Sequence, residues 1–166
     1  MPRLGSFLIC EKIIQDQLAK PTLVSIFQKL SAVVPDGQEM PKELIVTSPW
    51  AIFTEWFFTE EELTRKWALG LEVVMPDGSP APIRGRVEMK ELAPNGQGTR
   101  VYLMMNGMPI SQAGFLSANV WLERDSERAT DVFSYKILIE HTQTPPAGDV
   151  GTVVMGTVPA PKPVAN

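Results

Sequence analysis

Only one cysteine, Cys10, and one histidine, His141, occur in a chain of 166 residues. A single cysteine excludes an internal disulfide, so the fold has to rest on its hydrophobic core. The same pair is too small a set for the usual soft zinc ligands, and no metal site or cofactor is expected. Cys10 lies in an apolar run and reads as a packed small hydrophobe. Glycine-rich phosphate loops are absent, as is a Gly-x-Ser-x-Gly nucleophile elbow. Clustered positive charge is missing too: 15 Lys and Arg against 19 Asp and Glu leave a net charge of −4. The densest basic group, Arg84 and Arg86 with Lys90, is interrupted by Glu88 and Glu91 and reads as a solvated strand face, so no nucleic-acid partner is expected.

Long apolar segments are equally scarce. The run at residues 7–10 is far too short for a signal sequence, and a cytoplasmic location follows as the expectation. Residues 101–122 carry no charge over 22 positions, long enough to span a bilayer. Asn106, Gly107 and Pro109 break that stretch, however, and predict two strands with no membrane contact.

What is present is a repeated β pattern. Residues 7–15 and 22–30 are β-branched and aromatic runs joined by a short polar break, which predicts a hairpin. In residues 67–75 one parity holds Trp67, Leu69, Leu71, Val73 and Met75, the signature of a half-buried strand. Residues 83–90, 115–123 and 133–140 alternate in the same way. Three related turns punctuate the chain, at residues 35–37, 76–78 and 94–96: proline presets φ, Asp or Asn bonds its own backbone, and glycine supplies positive φ. Together they predict an all-β fold, an antiparallel β-sandwich of about seven to eight strands in an immunoglobulin-like or C2-like Greek-key order. A short helix is expected near residues 60–66, where Thr59 and Glu62 have capping-box spacing. The length suits one domain, placed at residues 1–141. Residues 142–166, rich in proline and glycine but without Pro-x-x-Pro spacing, read as a flexible tail.

Groups that chemistry would need are thin. His141 ends the last strand and is expected to face solvent. Two acidic groups, Glu60, Glu61 and Glu62, and Asp125, Glu127 and Asp131, read as solvated turn charges. Their sharper alternative is a carboxylate-dependent hydrolase or a cation-binding protein. Aromatic residues are the remaining signal. In residues 44–58, Trp50 and Trp56 share one strand parity while Phe53 and Phe57 occupy the other. A strand apolar on both faces needs cover on both, from a loop, the tail or another subunit. Trp50, Phe53, Trp56 and Phe57 are therefore the candidate interface for a protein partner or for self-association. Sugar stacking on exposed tryptophan is a further alternative.

The opening hairpin also carries a likeness. Residues 7–11 (FLICE) and 20–27 (KPTLVSIF), the turn at 76–78, and the sequence from Asn106-Gly-Met-Pro109 to Ala113-Gly-Phe115 resemble a bacterial family of small β-sandwich proteins classified only as a domain of unknown function. The resemblance spans roughly residues 4–140 and departs from the family in the acidic insertion after Phe58 and in everything after His141. It implies the fold and carries no activity or site residues. Composition and resemblance together lead to a cytoplasmic bacterial β-sandwich acting as a non-catalytic binding or assembly module. A hydrolase or cation-binding protein and a carbohydrate-binding module are the alternatives.

Overall fold

A computed structural model describes residues 1–15, 20–34, 41, 44–94 and 96–142. Within them the chain forms β1 (Arg3–Gln15), β2 (Pro21–Ile26), β3 (Lys29–Val33), β4 (Ile45–Phe57), α1 (Glu60–Leu63), β5 (Trp67–Val74), β6 (Pro80–Met89), β7 (Gly98–Pro109), β8 (Gly114–Arg124), β9 (Glu127–Arg128) and β10 (Phe133–Thr142). Sheet A has the order β2-β1-β4-β7, and sheet B the order β3-β10-β8-β5-β6 with β9 on β8. Every pairing is antiparallel except that of β10 with β3. The two sheets pack face to face as an all-β sandwich.

Alternation decides which side chains fill the space between them. Ile52 and Trp56 on β4, Leu69 and Val73 on β5, Leu116, Val120 and Leu122 on β8, and Ile137 and Ile139 on β10 are all at most 1% exposed and belong to one cluster. Burying each such side chain contributes about 1.5–3 kcal/mol, which is how a fold without disulfides holds.

Two strand expectations are corrected. Residues 22–30 are not one strand: Ser25, at φ 53°, turns the chain, and the sheets are exchanged across Phe27 and Gln28. Phe27 N–H still donates to Ile9 O at 2.8 Å, while Gln28 O already accepts from Leu138 N–H at 3.0 Å. With the two-residue β9, this split gives ten strands among the described residues where about seven to eight are expected. Residues 101–122 do divide into two strands, but the break falls after Pro109 and not at Asn106-Gly107. Gly107, at φ 84°, is absorbed beside a register shift in β4 between Val46 and Pro49, and β7 continues to Pro109 before the chain crosses to sheet B. No helix among the described residues is long and apolar enough to cross a membrane.

Local signals explain the connections. At residues 76–78, Gly78 takes φ 85° and Asp77 Oδ1 accepts from Ser79 N–H at 2.8 Å, as the turn chemistry requires. The β8–β9 hairpin turns on Asp125 and Ser126, both at positive φ, the conformation a two-residue hairpin favours. The helix is a single turn. Its capping pair is present, with Thr59 N–H donating to Glu62 Oε2 at 2.8 Å, and the Trp67 indole N–H takes the Glu62 carbonyl at 2.9 Å as β5 begins. The turn at residues 35–37 and all of the tail after Thr142 lie outside the described residues.

Candidate binding pocket

Where β2 hands over to β3, the rim of the sandwich opens into a cavity of about 520 Å3. Its volume falls within the range of ligand pockets, roughly 300–1,000 Å3. Phe27, Leu30, Val46, Trp50, Met108 and Ile110 make the apolar lining. Glu11, Ser25, Lys29, Ser31 and Ser48 add polar groups, and Ile26 stands at the lip, 46% exposed.

Each wall follows from the backbone. Trp50 is held by its indole N–H, which donates to Gly107 O at 3.0 Å. Only glycine fits at position 107, because a Cβ there would meet Ile45 Cγ2 at 2.7 Å and the φ of 84° strains any other residue. On the facing wall Ser25 keeps a left-handed conformation that non-glycine residues adopt at a cost. Lys29 reaches Glu140 at 2.7 Å, which sets its stem along the pocket edge.

Reactive groups do not converge here. His141, expected in solvent, is instead half-buried, and its Nε2–H donates to Ile110 O at 2.8 Å. A histidine so placed ties β10 to Ile110, just past the end of β7. Burial pushes the Cys10 thiol up, and the side chain is 0% exposed, consistent with a packed residue. Glu60, Glu61, Asp125, Glu127 and Asp131 are exposed. Glu62 is spent on the Thr59 N–H and on the Met1 amine at 2.8 Å; burial works to raise its carboxyl, but those bonds hold it below its usual range. No three His, Cys, Asp or Glu side chains among the described residues are grouped to hold a metal ion.

The four aromatic candidates separate. Trp50 is 2% exposed and borders the pocket; Trp56 is 0% exposed and meets Phe133 edge-on at 5.6 Å in the core. Phe53, 6% exposed, lies in the row of sheet A facing away from sheet B, beside Tyr102 at 5.7 Å. Phe57 is half-buried, lies over Gly5, and carries the Arg3 guanidinium 5.4 Å from its ring centre. Trp50, Phe53 and Trp56 are thus covered within the chain, and these rings present no common surface.

Sequence reasoning passed over Trp121. It shares its β8 row with Ser117, Asn119 and Glu123, opposite the core row of Leu116, Ala118, Val120 and Leu122. An aromatic in the wet row of an alternating strand is the signal that finds it. No family model matches the chain, and no curated protein matches it significantly.

Proposed function

We propose that this chain is a non-catalytic binding module whose rim pocket receives a bulky apolar side chain from a protein partner. One observation carries the reading: a concave, mostly apolar cavity at a sheet-to-sheet crossing, with hydroxyls at Ser25, Ser31 and Ser48 placed to take a partner's backbone groups. Catalysis has no matching support, since the acids are dispersed and the one histidine is committed to a backbone carbonyl. A bacterial, cytoplasmic setting within the unknown-function family that the opening hairpin resembles forms part of the same proposal.

The test is capture from an extract of the source organism on the immobilised full chain. Ile26→Glu puts a charge on the lip and Ser48→Trp fills the mouth, both at exposed positions, so stability should be nearly unchanged. The expected outcome is a partner retained by the wild type and by the distant Val87→Glu, and lost about tenfold or more from both pocket variants, equivalent to 1.4 kcal/mol or more. Equal capture by all four proteins would reject the pocket.

A further inference from the structure

The row of sheet B that faces away from sheet A is polar across its centre: Arg84 and Arg86 on β6, Glu72 on β5, Asn119 on β8, and Ser134 and Lys136 on β10. Trp121 sits in the middle of it. Its cross-strand partner is Gly70, and a Cβ on that glycine would overlap the indole, so the ring lies directly on the strand backbone. The indole N–H donates to Glu123 Oε1 at 2.9 Å, and Glu123 Oε2 accepts from Arg86 Nε at 2.8 Å. The ring is thereby fixed at its base and at its edge.

Covering a bare glycine accounts for one side of this tryptophan. It does not account for the recess of about 410 Å3 that Trp121 lines together with Glu72, Asn119, Arg128 and Val132. Most polar groups of that recess are unspent. The side chains of Glu72 and Arg128 have no hydrogen-bond or ion-pair partner among the described residues. Asn119 uses only Oδ1, which accepts from Ser134 Oγ at 2.6 Å and leaves its amide N–H donors available. A fixed aromatic plane is therefore flanked by a carboxylate acceptor, an amide donor and a guanidinium donor.

We propose that this recess is a carbohydrate site, in which a neutral pyranose lays its apolar C–H face on Trp121 and offers its hydroxyls to Glu72, Asn119 and Arg128. Amphipathic rings suit such a ligand, and a side chain already immobilised loses little entropy on binding. The opposite charges of Glu72 and Arg128 favour a neutral sugar over an acidic one. A nucleobase also stacks on tryptophan, but its phosphates need a cationic groove, and acids interrupt the basic residues of this face. The site is separate from the rim pocket and does not depend on it.

The experiment uses the full chain on an array of neutral oligosaccharides, followed by affinity electrophoresis in gels containing the matching polysaccharide. The wild type is expected to bind and be retarded. Glu72→Ala and Asn119→Ala, at half-buried outward positions, should each weaken retention about tenfold, the scale of a lost hydrogen bond to a charged or amide group. Trp121→Ala should abolish retention and Trp121→Tyr should restore part of it. Ile26→Glu should leave retention intact, which keeps this result apart from any failure at the rim pocket. A silent array, or unchanged retention in Glu72→Ala and Asn119→Ala, overturns the proposal, and those two variants decide the question even where Trp121→Ala does not fold.

Discussion

Sheet A and sheet B turn opposite materials away from the core. On sheet A the outward row runs through Leu8, Cys10, Ala51, Phe53, Tyr102 and Met104, and its centre is as buried as the interior, with Cys10 and Ala51 both 0% exposed. On sheet B the centre of the corresponding row is polar around the Trp121 indole, and apolar residues, Ala68, Val74, Phe115 and Leu138, lie toward its ends. The contrast shows what an aromatic residue means in each place. Within an apolar row, Phe53 has neighbours of its own kind and its burial needs no further reason. Within a wet row, Trp121 needs both a glycine beneath it and a carboxylate at its edge, and what remains open is a recess lined with unspent polar groups.

The largest effect separates the interior from the outward row of sheet A. Trp56→Ala empties a fully buried site against Phe133, and the expected loss is about 3–5 kcal/mol. Phe53→Ala is expected to cost about 2 kcal/mol, close to the transfer of its ring alone. Urea denaturation of both variants checks the order. Equal losses would mean that the outward row of sheet A is packed as tightly as the interior, and the comparison with sheet B would sharpen into one between a third packed layer and a wet surface.

Residues legible in the sequence are those whose environment is set by their own strand. Alternation placed strands at residues 67–75, 83–90, 115–123 and 133–140, where β5, β6, β8 and β10 lie; β8 and β10 bury a single row, β5 buries both from Trp67 to Leu71 but carries only the small Ala68 and Gly70 in the second, and β6 buries Ala81 alone. β4 blurred the pattern because both of its buried rows carry aromatics, Trp50 in one and Phe53 in the other. The crossing from β2 to β3 left no local trace. β3 pairs in parallel with β10, joining Lys29 to Leu138 and Val33 to Thr142, and such long-range register is invisible in a short window. The rim pocket escaped notice on the same grounds, because its walls come from four segments that meet only after the sheets form. His141 could not be placed either, since its carbonyl partner, Ile110, lies 31 residues away.

A smaller effect tests whether the indole rests on Gly70. Gly70→Ala inserts a methyl group where the Trp121 ring lies, and overpacking of this kind costs about 1–3 kcal/mol. In a Trp121→Ala background the same substitution should cost almost nothing, because the space is then free. A double-mutant cycle on thermal or urea stability should show coupling above about 0.5 kcal/mol. The same loss in both backgrounds would detach the ring from the glycine and remove the platform that sets sheet B apart.

The smallest effect lies at the edge of that platform. The Trp121 indole N–H, and after it the Arg86 guanidinium, hold the Glu123 carboxyl below its usual range against a lesser opposing influence of burial. A carboxyl whose pKa is lower in the folded chain stabilises the fold above its unfolded pKa, about 4.3, and that contribution is lost as pH falls through the folded value. Glu123→Gln keeps an acceptor for the indole and removes the charge. Because the Arg86 side chain is 43% exposed, the variant should be less stable than the wild type by under about 1 kcal/mol at pH 7, and the gap should shrink with added salt. As pH falls below the unfolded carboxyl's range, about 4.3, the gap should narrow, since the wild-type carboxyl becomes neutral as well. Urea midpoints of the two proteins across that fall in pH measure it directly. A gap that stays constant from pH 7 to pH 3 would show that charge does not hold the ring. The outward row of sheet A supplies the control: Cys10, with its thiol pushed up by burial, stays protonated throughout, so Phe53→Ala should shift stability by the same amount at every pH in the series.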